Sequence, residues 1–156
     1  MITVTTEKFS VGQEYDQFLA ELKVHGGIAI FVGLVRDFAE TAQGLESVQF
    51  LEIEHYPQMA ERQLTEIADE AKNRFELTAV TVIHRYGKLA AGEPIVLVLT
   101  AAPHRKAAIQ GCDFVMDWLK SAAPFWKVEH RSNGQVFVDS KPDDVNMLNS
   151  WQKQKS

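Results

Sequence analysis

The order of strand-like and helix-like segments is the feature of this sequence that most constrains its fold. Apolar periodicity predicts a helix, two strands, a second helix, two strands, a third helix and a closing hairpin. Strands that follow each other directly can pair antiparallel through a short turn, whereas a doubly wound parallel sheet needs a helix between consecutive strands. The pattern therefore predicts an α+β protein with a mixed, largely antiparallel sheet and packed helices.

Three segments have the apolar spacing of helices. Residues 13–24 form the first, which a glycine pair stops. Residues 58–75 carry the most continuous apolar stripe and start after Pro57, where the missing N–H of proline is harmless. The third helix runs from about residue 105 to residue 121 and must end before Pro124, because proline disfavours helix in the residue before it.

The segments between the first two helices predict two strands and a loop. Residues 28–35 are apolar on both faces, which is typical of a central strand. Residues 37–46 are polar and contain glycine, so we expect a mobile loop there. Residues 47–56 then form the next strand.

The strands after the second helix are residues 79–86 and 95–101, and a turn with Gly87 and Gly92 joins them. A final hairpin, 125–130 and 135–139, turns around Asn133 and Gly134.

Residues 1–140 are predicted to form a single domain, a usual size for one hydrophobic core. The polar residues 141–156 are predicted to be a loosely attached C-terminal tail, with Trp151 as its anchor.

Composition and motif content exclude several classes of protein. The single cysteine allows no intrachain disulfide and no cysteine-based metal cage. The five histidines never have the i, i+4 spacing of a simple helical metal site, so we expect no metal. The sequence also lacks the glycine-rich phosphate and dinucleotide motifs, the zinc-protease motif and the serine-hydrolase motif.

The lack of a secretory signal or a membrane-spanning segment, together with the net charge, indicates where the protein is located. The first residues do not resemble a secretory signal, and the apolar runs are too short to cross a bilayer. With the lack of disulfides, this predicts a cytoplasmic protein. The net charge of −5 argues against general binding to nucleic acid or membranes.

A basic segment in this acidic chain suggests an anion-binding site. Residues 104–131 have a net charge of +2, which leaves −7 for the rest. His104 and Arg105 lie where a strand ends and a helix begins, so free backbone N–H groups and the positive end of the helix dipole would surround a bound anion. Random charge scatter and a solvated basic turn explain the same pattern about equally well.

Lysines at 120 and 127 bracket the turn Ser-Ala-Ala-Pro-Phe-Trp. A lysine beside two large aromatic residues can be partly desolvated, which would suit it to acid–base or nucleophilic chemistry. The alternative is structural: Lys120 would complement the helix dipole, and Lys127 would extend past an aromatic core.

Two further residues have open interpretations. Arg36 directly follows the strand 28–35, so it either faces a site or pairs with Asp37 or Glu40. Cys112 falls on the apolar stripe of the third helix, which favours core packing over a reactive thiol.

Several motifs together resemble the large, catalytic subunit of molybdopterin synthase, from about residue 9 to residue 140. The most specific is the Leu-Lys-Ser-Ala-Ala-Pro-Phe-Trp-Lys-Val-Glu stretch that ends at Glu129. The others are Phe-Val-Gly-Leu-Val-Arg, ending at Arg36, Leu-Glu-Ile-Glu-His-Tyr, ending at Tyr56, Val-Ile-His-Arg-Tyr-Gly, ending at Gly87, and Pro-His-Arg, ending at Arg105.

The resemblance implies a fold and a reaction. The fold would be an α/β-hammerhead with a small β subdomain. The enzyme would transfer two sulfurs to cyclic pyranopterin monophosphate and so form the dithiolene of molybdopterin. The donor would be a thiocarboxylate on the C-terminal glycine of a ubiquitin-like small subunit, and the chain would need no cofactor of its own. Two large subunits would form a homodimer with a small subunit at each end, a heterotetramer.

The resemblance also implies roles for particular residues. Lys120 matches the essential lysine beside the incoming C-terminal tail, and Lys127 matches a second catalytic lysine. Both lysines would also contact substrate. The substrate-binding positions would be Arg36, His104 and Arg105, with Leu34, Val35, Val128 and Glu129 lining the pocket. In the homodimer, His104 and Arg105 would serve the site of the neighbouring subunit.

This sequence departs from the family pattern most clearly in the stretch after Arg36, where the family has a shorter turn. Pro103 and Phe137 are smaller departures, and neither touches the lysines.

Two other functions compete with this one. A regulatory domain that binds a phosphorylated metabolite would need Arg36, His104 and Arg105 but not two lysines beside an aromatic turn. A small RNA-binding domain conflicts with the net charge and lacks exposed aromatic residues at alternate strand positions.

Overall fold

The computed structural model describes residues 1–23, 26–138 and 142–153 of the chain. Its helices and strands follow one another in this order: β1 Ile2–Thr5, α1 Val11–Glu21, β2 Gly27–Leu34, β3 Phe38–Thr41, β4 Gly44–His55, α2 Pro57–Phe75, β5 Ala79–Arg85, β6 Gly87–Ala90, β7 Pro94–Ala102, α3 Arg105–Ser121, β8 Phe125–Arg131, β9 Gly134–Phe137 and α4 Pro142–Lys153.

The first sheet has the strand order β1-β5-β7-β2 and carries the main core. β1 runs parallel to β5, and the other neighbours are antiparallel. Helices α2 and α3 pack on one face, where Leu64 and Val115 meet Val98. Helix α1 packs on the other face through Phe18. The predicted α+β class with a mixed, largely antiparallel sheet is confirmed.

The second sheet forms the small β subdomain. β3, β4, β8 and β9 lie side by side, and β6 also pairs with β4. All of these pairings are antiparallel. Leu51, Ile53 and Leu89 form its buried cluster together with Val35, which follows β2. The subdomain therefore attaches to the main sheet at the end of β2.

The prediction that residues 28–35 form a central strand is wrong, because among the described residues β2 pairs with β7 alone and is an edge strand. Ile28 and Val32 pack toward α1, but Ile30 and Phe31 are 45% and 39% exposed. Apolar residues on both faces are expected of a buried central strand and also of an edge strand that another surface covers. The sequence pattern alone does not separate these cases.

Three short strands were absent from the sequence prediction. Residues 37–46 form a hairpin rather than a loop, in which β3 pairs with the start of β4 and Ala39 is buried. The turn between β5 and β7 contains β6, which pairs with residues 50–53 of β4. β1 was also not predicted. Each has four residues, too few for periodicity to identify.

The predicted helices are confirmed with small shifts at their ends. α1 begins after Ser10, whose hydroxyl accepts a hydrogen bond from the Gln13 backbone N–H, and ends at Glu21. The predicted last residue, Val24, lies outside the described residues. α2 begins at Pro57, and α3 has the predicted bounds.

The predicted loose tail contains a helix, α4, that docks on the main domain. Trp151 is buried, donates its indole N–H to Asp117 at 2.7 Å, and meets the rings of Phe75 and Phe114 edge-on. The guanidinium of Arg74 lies over the same indole. The prediction that Trp151 anchors this segment is confirmed. Residues 139–141 and 154–156 lie outside the described part of the chain.

Candidate active site

Helix α3 separates the predicted site residues into two groups. His104 is the residue before the helix and Arg105 is its first residue, and both side chains are exposed. Lys120 lies in the last turn of the same helix. Fifteen residues of helix, at about 1.5 Å each, put about 22 Å between the backbones of Arg105 and Lys120. The structure therefore does not bring these two residues together within one chain.

The length of strand β2 shows independently that His104 and Arg105 lie far from Arg36. Gly27, its first residue, lies against the backbone of Arg105, and a Cβ on this glycine would come within 3.1 Å of the Arg105 Cα. Arg36 follows the other end of the strand. Eight strand residues span about 23 Å. His104 and Arg105 thus lie at one end of β2, and Arg36 lies at the other.

Arg36 belongs to a cluster of charges around Glu129. One Glu129 oxygen accepts from the Arg36 guanidinium at 3.0 Å, and the other accepts two hydrogen bonds from Arg131 at 3.0 and 2.8 Å. Arg131 also pairs with Glu46 at 3.5 Å. Glu129 is only 4% exposed, and two guanidinium groups offset the cost of burying its charge. Arg36 pairs with Glu129 rather than with Asp37 or Glu40.

The Arg36 side chain remains 52% exposed although it is held by Glu129. One guanidinium edge is thus fixed by the buried carboxylate, while much of the group faces solvent. A fixed and exposed guanidinium is suited to bind a phosphate or a carboxylate.

Lys127 lies between an aromatic residue and this charge cluster. Successive strand side chains point to opposite faces, so Phe125, Lys127 and Glu129 share one face of β8 and are spaced about 6.6 Å apart. Lys127 is half-buried and lies opposite Ile53 of β4. Its side chain therefore shares one face of the small sheet with Phe125, Glu129 and Ile53.

Lys120 approaches the same region from α3. The helix ends at Ser121, and residues 122–124 lead directly into β8. Both lysines thus lie at the end of the molecule that also carries Arg36 and Glu129. The predicted site residues form a lysine-containing half and a separate His104–Arg105 half.

Three predicted pocket-lining residues differ in how they could contact a ligand. Leu34 is exposed at the end of β2. Val35 is buried in the small core, so its side chain packs beneath the surface. Val128 lies on the face of β8 opposite Lys127 and Glu129. That these residues bind substrate stays a prediction.

Three residues near the site were not predicted as part of it: Arg131 and Glu46, which complete the charge cluster, and His84, whose ring is buried. Arg131 stands two residues after Glu129 on a predicted hairpin, and this spacing places both side chains on one face of a strand. That spacing was the available signal. For Glu46, which lies across the sheet, the sequence has no local signal.

Cys112 is buried on the apolar face of α3, as predicted. Burial, aided by the negative charge of Asp113, raises the pKa of its thiol to about 11. The thiol is therefore protonated, and a poor nucleophile, at every pH below that value.

We expect Cys112→Ala to keep full enzymatic activity and to lower the free energy of unfolding by about 1 kcal/mol, because a small side chain is lost from a packed face. Denaturant unfolding and turnover measured on the same preparation check both parts. A folded but inactive variant would instead indicate that this thiol takes part in the reaction.

Within the described ranges, no group of three or more His, Cys, Asp or Glu side chains could hold a metal ion. No helix in those ranges is both long and apolar enough to cross a membrane.

Fold and site together define an α+β protein with a cationic, lysine-containing surface on a small antiparallel sheet beside a four-stranded mixed sheet. The sequence model of the MoaE protein family matches residues 4–122. The chain belongs to this family.

Named relatives are similar in sequence to this chain along nearly its whole length. The molybdopterin synthase catalytic subunit of Escherichia coli is 43% identical over 150 residues, which cover 96% of this chain and 97% of the relative. A solved molybdopterin biosynthesis MoaE protein from Burkholderia ambifaria is 38% identical, with a TM-score of 0.80 and coverage of 97% of both chains.

A more distant structure is the protein–protein complex of subunits 1 and 2 of the molybdopterin-converting factor from Helicobacter pylori. It has a TM-score of 0.72 over 90% of this chain and 91% of that chain. At 18% identity this likeness shows the fold alone.

Proposed function

We propose that this chain is the catalytic subunit of a molybdopterin synthase and acts as a sulfurtransferase. It moves two sulfurs from thiocarboxylated small subunits to cyclic pyranopterin monophosphate. The observation that carries the proposal is that Glu129 holds Arg36 at 3.0 Å on the strand that also carries Lys127, in a chain whose relatives are molybdopterin synthase catalytic subunits.

The chemistry of this chain supports an external sulfur donor. Its single cysteine is buried, and its thiol has a pKa of about 11. A thiocarboxylate, by contrast, is anionic and nucleophilic at neutral pH. Each transfer breaks the carbon–sulfur bond of the donor and forms one to the pterin. The spent small subunit leaves as a carboxylate, with its new oxygen taken from the substrate or from water.

The two lysines suit the charges and protons of this reaction. Attack at a thiocarboxylate carbon creates an oxyanion, which ammonium groups stabilise. Opening of the pterin ring and addition of sulfur require protons to be moved, which lysine can do. A second, small subunit as partner is supported by the relatives, which are named as the catalytic subunit of molybdopterin synthase.

The separation of the two site halves supports a homodimer. His104 and Arg105 lie about 22 Å along α3 from Lys120, too far for one small substrate to touch both in a single chain. Between the halves runs β2, an edge strand with exposed Ile30 and Phe31. An apolar sheet edge of this kind favours association with another chain.

A two-fold axis near the middle of β2 would complete the site. Such an axis sets the Arg105 end of one copy against the Arg36 end of the other, and the same contact is repeated on both sides. Each active site would then take its lysines and Arg36 from one subunit and His104 and Arg105 from its partner. The phosphate would lie between Arg36 and Arg105.

We expect Arg36→Ala and Arg105→Ala each to weaken precursor binding by about 10- to 150-fold, because each removes a charge-assisted contact worth about 1.5–3 kcal/mol. Turnover at saturating precursor should fall less. Isothermal titration with cyclic pyranopterin monophosphate measures the affinities.

Arg62→Ala is the matched control for this experiment. Arg62 is an exposed arginine that pairs with Glu66 along α2 at 3.7 Å. It should bind precursor like the unmodified chain. Unchanged affinity in both Arg36→Ala and Arg105→Ala would place the phosphate elsewhere.

A further inference from the structure

His84 is a buried histidine on β5 in direct contact with the lysine-bearing strand. Its ring stacks on that of Phe125, the first residue of β8, with centroids 3.9 Å apart and an interplanar angle of 11°. His55 stacks on Phe125 as well, at 5.9 Å. Phe125 thus contacts two imidazole rings, and it lies two residues before Lys127 on the same strand face.

The hydrogen bonding of His84 determines which ring nitrogen carries a proton. Nδ1 lies 2.9 Å from the Arg85 backbone carbonyl, which only accepts, so Nδ1 is the donor. Burial, and next the charge of Lys127, lower the pKa of His84 to about 3. The ring is therefore neutral at physiological pH, and Nε2 carries a lone pair.

The titratable neighbours of His84 are Lys127 on β8 and His55 on β4, and both disfavour a charge on its ring. A neutral imidazole beside an ammonium is the stable arrangement, since Nε2 can accept from a cation whereas a protonated ring would repel it.

We propose that His84 is a positioning residue for Lys127: its stacked ring fixes Phe125 and hence this part of β8, and its Nε2 lone pair stabilises the Lys127 ammonium. This deepens the proposed function, since it rests on Lys127 acting in the reaction. His84 itself need not touch the substrate.

Three substitutions of His84 test separately the stacking of its ring on Phe125 and the role of Nε2 as an acceptor for Lys127. His84→Gln places an amide acceptor near the position of Nε2, whereas His84→Asn places one near Nδ1 alone. His84→Phe keeps the stacked ring and removes both nitrogens. Thermal unfolding shows how far each variant retains the fold.

The readout is the rate at which an amine-reactive reagent modifies Lys127 in the complete chain at fixed pH, measured by mass spectrometry. Loss of the acceptor should increase the neutral amine fraction and speed labelling by about three- to tenfold in His84→Phe and His84→Asn. His84→Gln should stay near the unmodified rate. Lys106, exposed at the other end of α3, is the internal control and should not change.

Unchanged Lys127 labelling in folded His84→Phe and His84→Asn would overturn the proposal, and so would equal acceleration in all three variants. Turnover is measured separately with donor and precursor. Faster labelling of Lys127 with normal turnover would support the interaction between His84 and Lys127. It would also show that Lys127 is not required for the proposed chemistry.

Discussion

Lys120→Ala is expected to fold normally and to lose about a hundred- to ten-thousand-fold in turnover, the usual effect of removing a general acid or base. Lys120 is exposed in the last turn of α3, so its truncation should change the free energy of unfolding by no more than about 0.5 kcal/mol. Single-turnover formation of dithiolene, with donor and precursor in excess, measures the loss.

Lys106→Ala is the matched control, because Lys106 is an exposed lysine in the first turn of the same helix. It should retain normal turnover. Lys127→Ala should resemble Lys120→Ala or be somewhat milder. Near-normal turnover in Lys120→Ala would eliminate this lysine from the mechanism.

At a precursor concentration well below saturation, mixing two chains that are each nearly inactive is expected to restore activity if each site draws on two subunits. One chain carries His104→Ala with Arg105→Ala, and the other carries Lys120→Ala. Random assortment makes half of the dimers hybrids. Each hybrid has one complete site out of two, so the mixture should recover about a quarter of normal activity. Co-expression with two different affinity tags allows the hybrids to be isolated and assayed.

A mixture of Lys120→Ala and Lys127→Ala chains is the control. Both substitutions lie in the half of the site that one chain supplies. Every site in a hybrid therefore lacks one of the two lysines, and no activity should return. Absence of recovery in the first mixture would show that the His104–Arg105 half does not complete the site of a partner subunit.

The sequence predicted the parts of the fold that local signals define. Helix α3 was located between a strand end at His104 and the stop at Pro124, and the structure has the same bounds. Pro57 likewise marked the start of α2. The grouping of Lys120 and Lys127 followed from their closeness in sequence across a turn that proline forces.

Other features depend on distant contacts and had no local signal. Arg36 and Glu129 are 93 residues apart, so neither segment shows that the carboxylate anchors the arginine. The edge position of β2 depends on which strands pair with β7, and its apolar pattern does not encode this.

The most direct test of the central claim is reconstitution with a labelled donor. The chain is incubated with cyclic pyranopterin monophosphate and a small subunit whose C-terminal thiocarboxylate carries a heavy sulfur isotope, with unlabelled sulfide in solution. Mass spectrometry should find a dithiolene product with two heavy sulfurs and two small subunits returned as carboxylates. A donor that stays intact with no dithiolene formed, or a product carrying sulfur from free sulfide, would contradict the account.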